Sequence, residues 1–205
     1  SQEWVCGNNR TVLKSTNLGN NWTSVGANGI PSNVNLVNIN SGATDTVFTA
    51  GNIGSITYLY RTVNGGLNWT QVFSQTNGII NAVWMKNALQ GFMCGNPVGS
   101  RWSLWKTTNG GLNWDSTNLF LPQAGSETGW NNSLEIINNN IWFGTSNGIS
   151  VFNQKDSVFY NYSSKVFEKE KNNNANKANK KELKEKTEKK NNIKTIQKID
   201  TNITS

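Results

Sequence analysis

Short runs that are apolar or alternate in polarity, separated by Asn/Gly-rich breaks, fill the first 164 residues. Ile56, Tyr58, Leu59 and Tyr60 lead into the polar stretch 61–68, and Trp69, Val72 and Phe73 lead out of it. Aromatic and β-branched residues on either side of a Gly-containing polar break predict a β-hairpin. The same arrangement recurs along the chain and predicts strands at 3–7, 11–14 and 21–25, then at 34–40, 46–51, 55–62 and 68–73. A third set follows at 79–85, 91–95, 101–107 and 113–117, and a fourth at 133–137, 141–145, 149–153 and 158–162. The first set has three runs where the others have four, so it lacks an innermost strand. No stretch reads as an amphipathic helix before residue 165.

The breaks are themselves a repeat. Arg61 to Trp69 reads Arg-Thr-Val-Asn-Gly-Gly-Leu-Asn-Trp, and Lys106 to Trp114 reads Lys-Thr-Thr-Asn-Gly-Gly-Leu-Asn-Trp. A looser copy, Lys-Ser-Thr-Asn-Leu-Gly-Asn-Asn-Trp, runs from Lys14 to Trp22. The closing indoles are 47 and 45 positions apart (69 − 22 and 114 − 69). A period of about 45 residues is that of one four-stranded propeller blade. Within each break, Asn17, Asn64 and Asn109 can turn their side-chain oxygens onto nearby backbone N–H groups. Gly19, Gly66 and Gly111 suit a position with φ > 0. Ser15, Thr62 and Thr107 open the turn with a hydroxyl. Trp22, Trp69 and Trp114 are expected to return into the apolar layer of their own sheet and to supply much of its buried area.

These three breaks resemble the Asp-box, or BNR repeat, Ser/Thr-x-Asp-x-Gly-x-x-Trp, with Asn in each copy where the family has Asp. Asn keeps the turn-forming oxygen and loses the charge. The resemblance covers roughly residues 1–164 and is closest to photosystem II assembly-factor-like and sortilin-type propellers. It implies an all-β fold, a β-propeller with four recognisable four-stranded blades. Whether the ring closes with four or the chain is an arc of a larger ring stays open. It also implies that the boxes are structural turns on the outer edge, away from the ligand face.

Charge changes the picture only at the end of the chain. Residues 1–164 hold seven Lys/Arg and six Asp/Glu, a net of +1, and residues 165–205 hold twelve and six, a net of +6. The basic balance therefore belongs to the tail and does not argue for a nucleic-acid-binding face on the folded part. Residues 165–192 are Lys, Asn and Glu with almost no large apolar residue, and read as a disordered linker or an exposed helix that could touch acidic surfaces. Residues 193–205 regain some β character. They are expected either to complete the first blade or to begin a further one.

No run of 18 apolar residues is present, so no transmembrane helix is expected. The chain starts at Ser-Gln-Glu-Trp without Met, which fits a processed protein or an excised fragment. Cys6 and Cys94 each precede a Gly at the same repeat position and read as small core residues rather than a disulfide. With no His and no Cys pair, no metal site or cofactor is expected.

In propellers the links between blades and the turns between the second and third strands share one face, and ligands meet that face. Here it would carry Asn9, Arg10, Asn52, Asn96, Arg101, Glu127, Trp130 and Asn147 as candidate binding residues, an amide-rich and weakly charged surface with one aromatic anchor. Such a surface suits a protein loop or a glycan.

An enzyme is disfavoured. Glycosidases need paired carboxylates or a Tyr/Glu pair, and sialidases also use an Arg cluster. Only Arg10, Arg61 and Arg101 occur, and Glu127 is the one acid on that face. The expectation is a non-catalytic binding or scaffolding propeller, extracellular, at the cell surface or periplasmic. The alternatives are a remnant of a sialidase-like glycoside hydrolase and an assembly factor for a membrane complex.

Overall fold

In the computed structural model, residues 2–163 are described except 124–125, 139 and 157, together with the side chains of residues 161 and 163. The expected linker at 165–192 and the expected strand at 193–205 lie outside the described residues. Among the described residues, fourteen strands form four antiparallel sheets. The first sheet holds β1 (Glu3–Gly7), β2 (Thr11–Ser15) and β3 (Thr23–Ser24). The second holds β4 (Asn35–Ser41), β5 (Val47–Ile53), β6 (Ile56–Thr62) and β7 (Thr70–Thr76). The third holds β8 (Ile80–Met85), β9 (Gly91–Val98) and β10 (Arg101–Thr107). The fourth holds β11 (Gly129–Ile137), β12 (Asn140–Thr145), β13 (Gly148–Asn153) and β14 (Val158–Ser163).

Each sheet is a meander, so sequence neighbours pair, as hairpins dictate. Strands β4, β8 and β11 form the inner edges of their sheets. β1 packs on β4, β4 on β8, and β8 on β11, so the four sheets stand side by side as blades.

Three apolar clusters fill the spaces between consecutive blades. Val12, Trp4 and Cys6 of the first blade meet Val34, Leu36, Tyr60 and Trp69 of the second. Phe48, Ala50 and Leu59 meet Ile80, Val83 and Met93. Cys94, Trp102 and Leu104 meet Leu134, Phe143 and Phe152. The alternation of side chains along a strand explains this: each central blade is apolar on both faces because it has a neighbour on both.

The Asn/Gly turns have one geometry in all three copies. The Ser15, Thr62 and Thr107 hydroxyls accept from the N–H of Gly19, Gly66 and Gly111 at 2.9, 3.0 and 2.9 Å. Each hydroxyl donates to the side-chain oxygen of Asn17, Asn64 or Asn109. That oxygen also accepts the N–H of Asn21, Asn68 or Asn113, at 2.9 to 3.0 Å. The hydroxyl-bearing residues are at most 2% exposed, so the turn is locked from its buried side.

The indoles do not follow the expectation. Trp69 crosses to the preceding blade, meeting Trp4 edge to face at 6.4 Å and donating from Nε1 to Val25 O at 2.8 Å. Trp114 meets Phe48 of the preceding blade at 6.3 Å and 90°. They are wedges between sheets, not cores of their own sheets. Trp22 is 42% exposed, because no preceding blade stands beside it among the described residues. The glycines share this role. A Cβ on Gly111 would lie 2.2 Å from Phe48 and one on Gly66 2.9 Å from Val25. The basic residues that open the first two turns cover the same aromatics, with Lys14 5.2 Å from the centre of the Trp4 ring and Arg61 6.0 Å from that of Phe48.

Three strand expectations need correction. The outer strand at 113–117 is reduced to a single bridge, Lys106 with Asp115, and beyond it Arg101 bridges to Pro122. Asp115 Oδ1 accepts both the N–H and the hydroxyl of Thr117, and Asn118 takes φ 62°, which turns the chain out of the ladder. The outer strand at 21–25 shortens to Thr23–Ser24. The inner strand of the fourth blade starts at Gly129, inside the expected link, rather than at Ser133. That blade has no Asn/Gly turn, and a small apolar cavity of about 10 Å³ lined by Phe92, Trp105, Ile141 and Phe159 lies between it and the third. Cys6 and Cys94 are both free; Cys94 is buried and Cys6 partly so.

Candidate binding site

The candidate binding residues fall at one end of the strands. Asn9 and Arg10 form the turn between β1 and β2, Asn52 nears the end of β5, Asn96 lies in β9, and Arg101 opens β10. Glu127 precedes β11, Trp130 is its second residue, and Asn147 sits between β12 and β13.

Several of these residues are tied down locally, Arg10 and Asn52 by their side chains and Arg101, Glu127 and Asn147 by their backbones. Arg10 turns its guanidinium towards the carbonyls of Ala27 and Ile30, each at 3.5 Å, and its own N–H reaches Val34 O at 2.8 Å. Asn52 Nδ2 donates to Gly54 O. Arg101 bridges to Pro122 through its backbone. Glu127 is only 6% exposed, and its carbonyl accepts from Gln123 Nε2. Asn147 stays exposed, with its N–H on Thr145 Oγ1.

Asn96 and Trp130 are brought together. Asn96 Oδ1 accepts the N–H of Gly129 at 2.9 Å and an Asn81 Nδ2–H at 3.2 Å. Asn81 Nδ2 also donates to Gly129 O at 2.6 Å. The two amides thus fix both backbone groups of the residue before Trp130.

Beyond Gly129, β11 bulges. Gly129 pairs with Thr145 and Leu134 with Phe143, so five steps along β11 oppose two along β12 and three residues are extra. Bulges re-aim side chains and are common beside functional sites. This one is held on several sides. Asn132, at φ 58°, takes a hydrogen bond from Asn38 Nδ2 of β4. Asn38 Oδ1 in turn accepts the N–H of Val83 of β8 at 3.1 Å. The Ser133 hydroxyl donates to Trp130 O at 2.6 Å. Trp130 ends up 61% exposed. A large aromatic in water on a pinned backbone has little entropy left to lose on contact with a ligand.

Sequence reasoning missed Asn38, Asn81 and Asn132. The signal was there for the first two: Asn81 is an amide within an otherwise apolar inner strand, Asn38 stands between Val37 and Ile39 in a mixed one, and both are 4% exposed. A polar side chain buried in such a strand must have partners, and here they include a backbone group of the next blade, the Val83 N–H for Asn38 and the Gly129 carbonyl for Asn81. Asn132 could not be found that way, because the bulge that uses it has no local signature.

The acids do not converge. Asp115 is held below the usual carboxylate range by the Thr117 hydroxyl and N–H, and its Oδ2 lies 3.9 Å from Lys106 Nζ on the outer edge. Among the described residues no group of three His, Cys, Asp or Glu could hold a metal ion, and no helix is long and apolar enough to cross a membrane.

No protein-family model matches the chain, and no curated protein matches its sequence. Solved structures do. YCF48 bound to D1 peptide superposes with a TM-score of 0.59 at 18% identity, over 80% of this chain and 51% of that one. YCF48 from Cyanidioschyzon merolae gives 0.55 at 18% identity, over 80% and 53%. The chain spans about half the length of these structures. At this identity the likeness concerns the fold alone, and with the four side-by-side meanders it makes this chain a β-propeller.

Proposed function

We propose that this propeller is a non-catalytic binding module that takes an extended protein segment across the end of its blades, with Trp130 as the anchor. The observation that carries the reading is the bulge of β11, where an indole 61% exposed sits on a backbone tied to two other blades. The amides around it suit a peptide, whose backbone offers donors and acceptors in equal number. A propeller of similar fold, YCF48, has been seen with a D1 peptide bound, which supports a peptide as the kind of ligand such a face can take.

The Asp-box resemblance and an extracellular, cell-surface or periplasmic place belong to this same reading, while an assembly role at a membrane complex stays an alternative to it. Contact of the Lys-rich 165–205 segment with acidic surfaces belongs to the reading as well.

Selection from a random peptide display library against the whole chain tests it. Enriched peptides should bind the native protein and lose about tenfold or more in affinity to Trp130→Ala, as central aromatic anchors do. No enrichment, or equal binding to Trp130→Ala, would overturn the proposal. Binding on a glycan array without any peptide selected would replace the peptide with a carbohydrate.

A further inference from the structure

Five Asn–Gly pairs occur in the chain, at 28–29, 64–65, 77–78, 109–110 and 147–148. Such a pair can rearrange without an enzyme. The glycine nitrogen attacks the carbonyl carbon of the asparagine side chain, a new N–C bond closes a five-membered imide, and the side-chain nitrogen leaves as ammonia. Water then opens the ring at either carbonyl and leaves aspartate or isoaspartate. Glycine favours the attack because no Cβ crowds the ring. The fold decides which pair can react, since an amide or a glycine nitrogen held by hydrogen bonds must first be released by local opening.

Four of the pairs are held. Asn64 and Asn109 each accept two hydrogen bonds on the side-chain oxygen, from the Thr62 or Thr107 hydroxyl and from the N–H of Asn68 or Asn113. The nitrogens that would attack, those of Gly65 and Gly110, donate to Asp45 O at 3.0 Å and Leu89 O at 2.8 Å. Asn28 donates from its side chain to Leu67 O at 3.0 Å, and its carbonyl accepts the Trp69 N–H at 2.8 Å. Asn77, at φ 62°, is tied through its N–H to Ser55 O at 2.7 Å and through its carbonyl to Gln75 Nε2 at 3.0 Å, and Gly78 behind it is buried.

Asn147 is held least. It is exposed in the two-residue turn between β12 and β13, and its side-chain amide makes no hydrogen bond among the described residues. Its own N–H reaches Thr145 Oγ1 at 3.2 Å. Freeing the Gly148 nitrogen disturbs one rung of that hairpin, Thr145 with Gly148. We infer that Asn147 is a site of self-modification, which converts to aspartate or isoaspartate in the folded protein ahead of the other four. The new carboxylate stands at the ligand end of the blades. The Ser146 N–H donates to Thr128 O at 2.8 Å, and the Thr128 N–H to Ser146 Oγ at 3.0 Å, so the turn is docked two residues before Trp130. A charge there alters which peptides the Trp130 face accepts. That consequence rests on the peptide-binding reading, and the conversion does not.

Peptide mapping by mass spectrometry follows the whole chain in mildly alkaline buffer, native and in urea. In urea the five pairs should convert at similar rates. In the native protein Asn147 should convert at least about tenfold faster than Asn64 or Asn109, which wait for their turns to open. Thr107→Val releases the Asn109 side chain and should speed conversion there while leaving Asn147 unchanged. Native Asn147 that persists while it is consumed in urea overturns the inference, as do five equal rates in the native protein. An unchanged rate at Asn109 in Thr107→Val would mean that the hydrogen bonds do not set the order, which overturns it too. Asn147→Asp reads the consequence separately. Selected peptides should shift in preference from acidic towards basic, and equal affinities would sink that consequence while leaving the conversion standing.

Discussion

At the scale of single residues, the turn hydroxyl is the pivot of the repeat. Thr107 Oγ1 accepts two backbone N–H groups and donates to Asn109 Oδ1, while 2% exposed. Thr107→Val keeps the shape and leaves those buried donors without an acceptor, which costs about 1–3 kcal/mol. Thr107→Ser should stay near the native value, and urea denaturation of the two variants separates hydroxyl from bulk. Asn109→Asp should hold or raise stability, because the same oxygen then accepts its bonds as a charge. Gly111→Ala should be worse than either. Its φ of 78° is strained for any L side chain, and the new methyl lies 2.2 Å from Phe48. An expected loss of at least about 2 kcal/mol follows from backbone strain and overpacking together. A midpoint within error of the native one would show that the Phe48 ring yields freely.

At the scale of strands and sheets, equal sequence positions do unequal work. Trp69 and Trp22 close the same turn, yet one is 4% exposed and the other 42%. Trp69→Ala should cost about 3–5 kcal/mol, as large aromatic truncations in packed cores do. Trp22→Ala, measured in dilute solution, should cost less than about 1 kcal/mol, in line with surface substitutions. Comparable losses would mean that the indoles act inside their own sheets after all. This pair also marks what the sequence could and could not tell. The strands of the second blade and the three turns were legible because alternation and turn chemistry are local. The indole's partner was not, because local pattern does not say which sheet a side chain crosses to. The outer strand after Trp114 misled for a similar reason: Asp115 and Thr117 look compatible with a strand, but their mutual hydrogen bonds close a turn instead. At the site, Trp130 was legible as an aromatic among amides. Its exposure rests on three extra residues in β11, which no periodicity announces.

At the scale of the molecule, stability should be insensitive to pH near neutrality and fall on the alkaline side. Cys94 lies buried between the third and fourth blades, and burial pushes its thiol up to about 12 from an ordinary 9.0. Tyr60, 1% exposed between the first and second blades, is pushed up to about 12 by burial and then by the nearby Tyr58. Both groups are neutral when protonated, and both are held in that form by the fold. Below about pH 9 the folded and unfolded chains bind these protons equally, so the contribution is fully present. As pH rises from there towards about 12, the unfolded chain releases protons that the folded chain keeps, and stability drains away. Urea midpoints from pH 7 to pH 11 should be level at first and then decline. Cys94→Ala should make the decline shallower, beginning nearer the tyrosine range, even if its own midpoint is lower at neutral pH. The two groups sit in different inter-blade cores, so their losses should add. A steep decline unchanged in Cys94→Ala would place the alkaline sensitivity elsewhere and show that the cleft between the third and fourth blades admits water to the thiol.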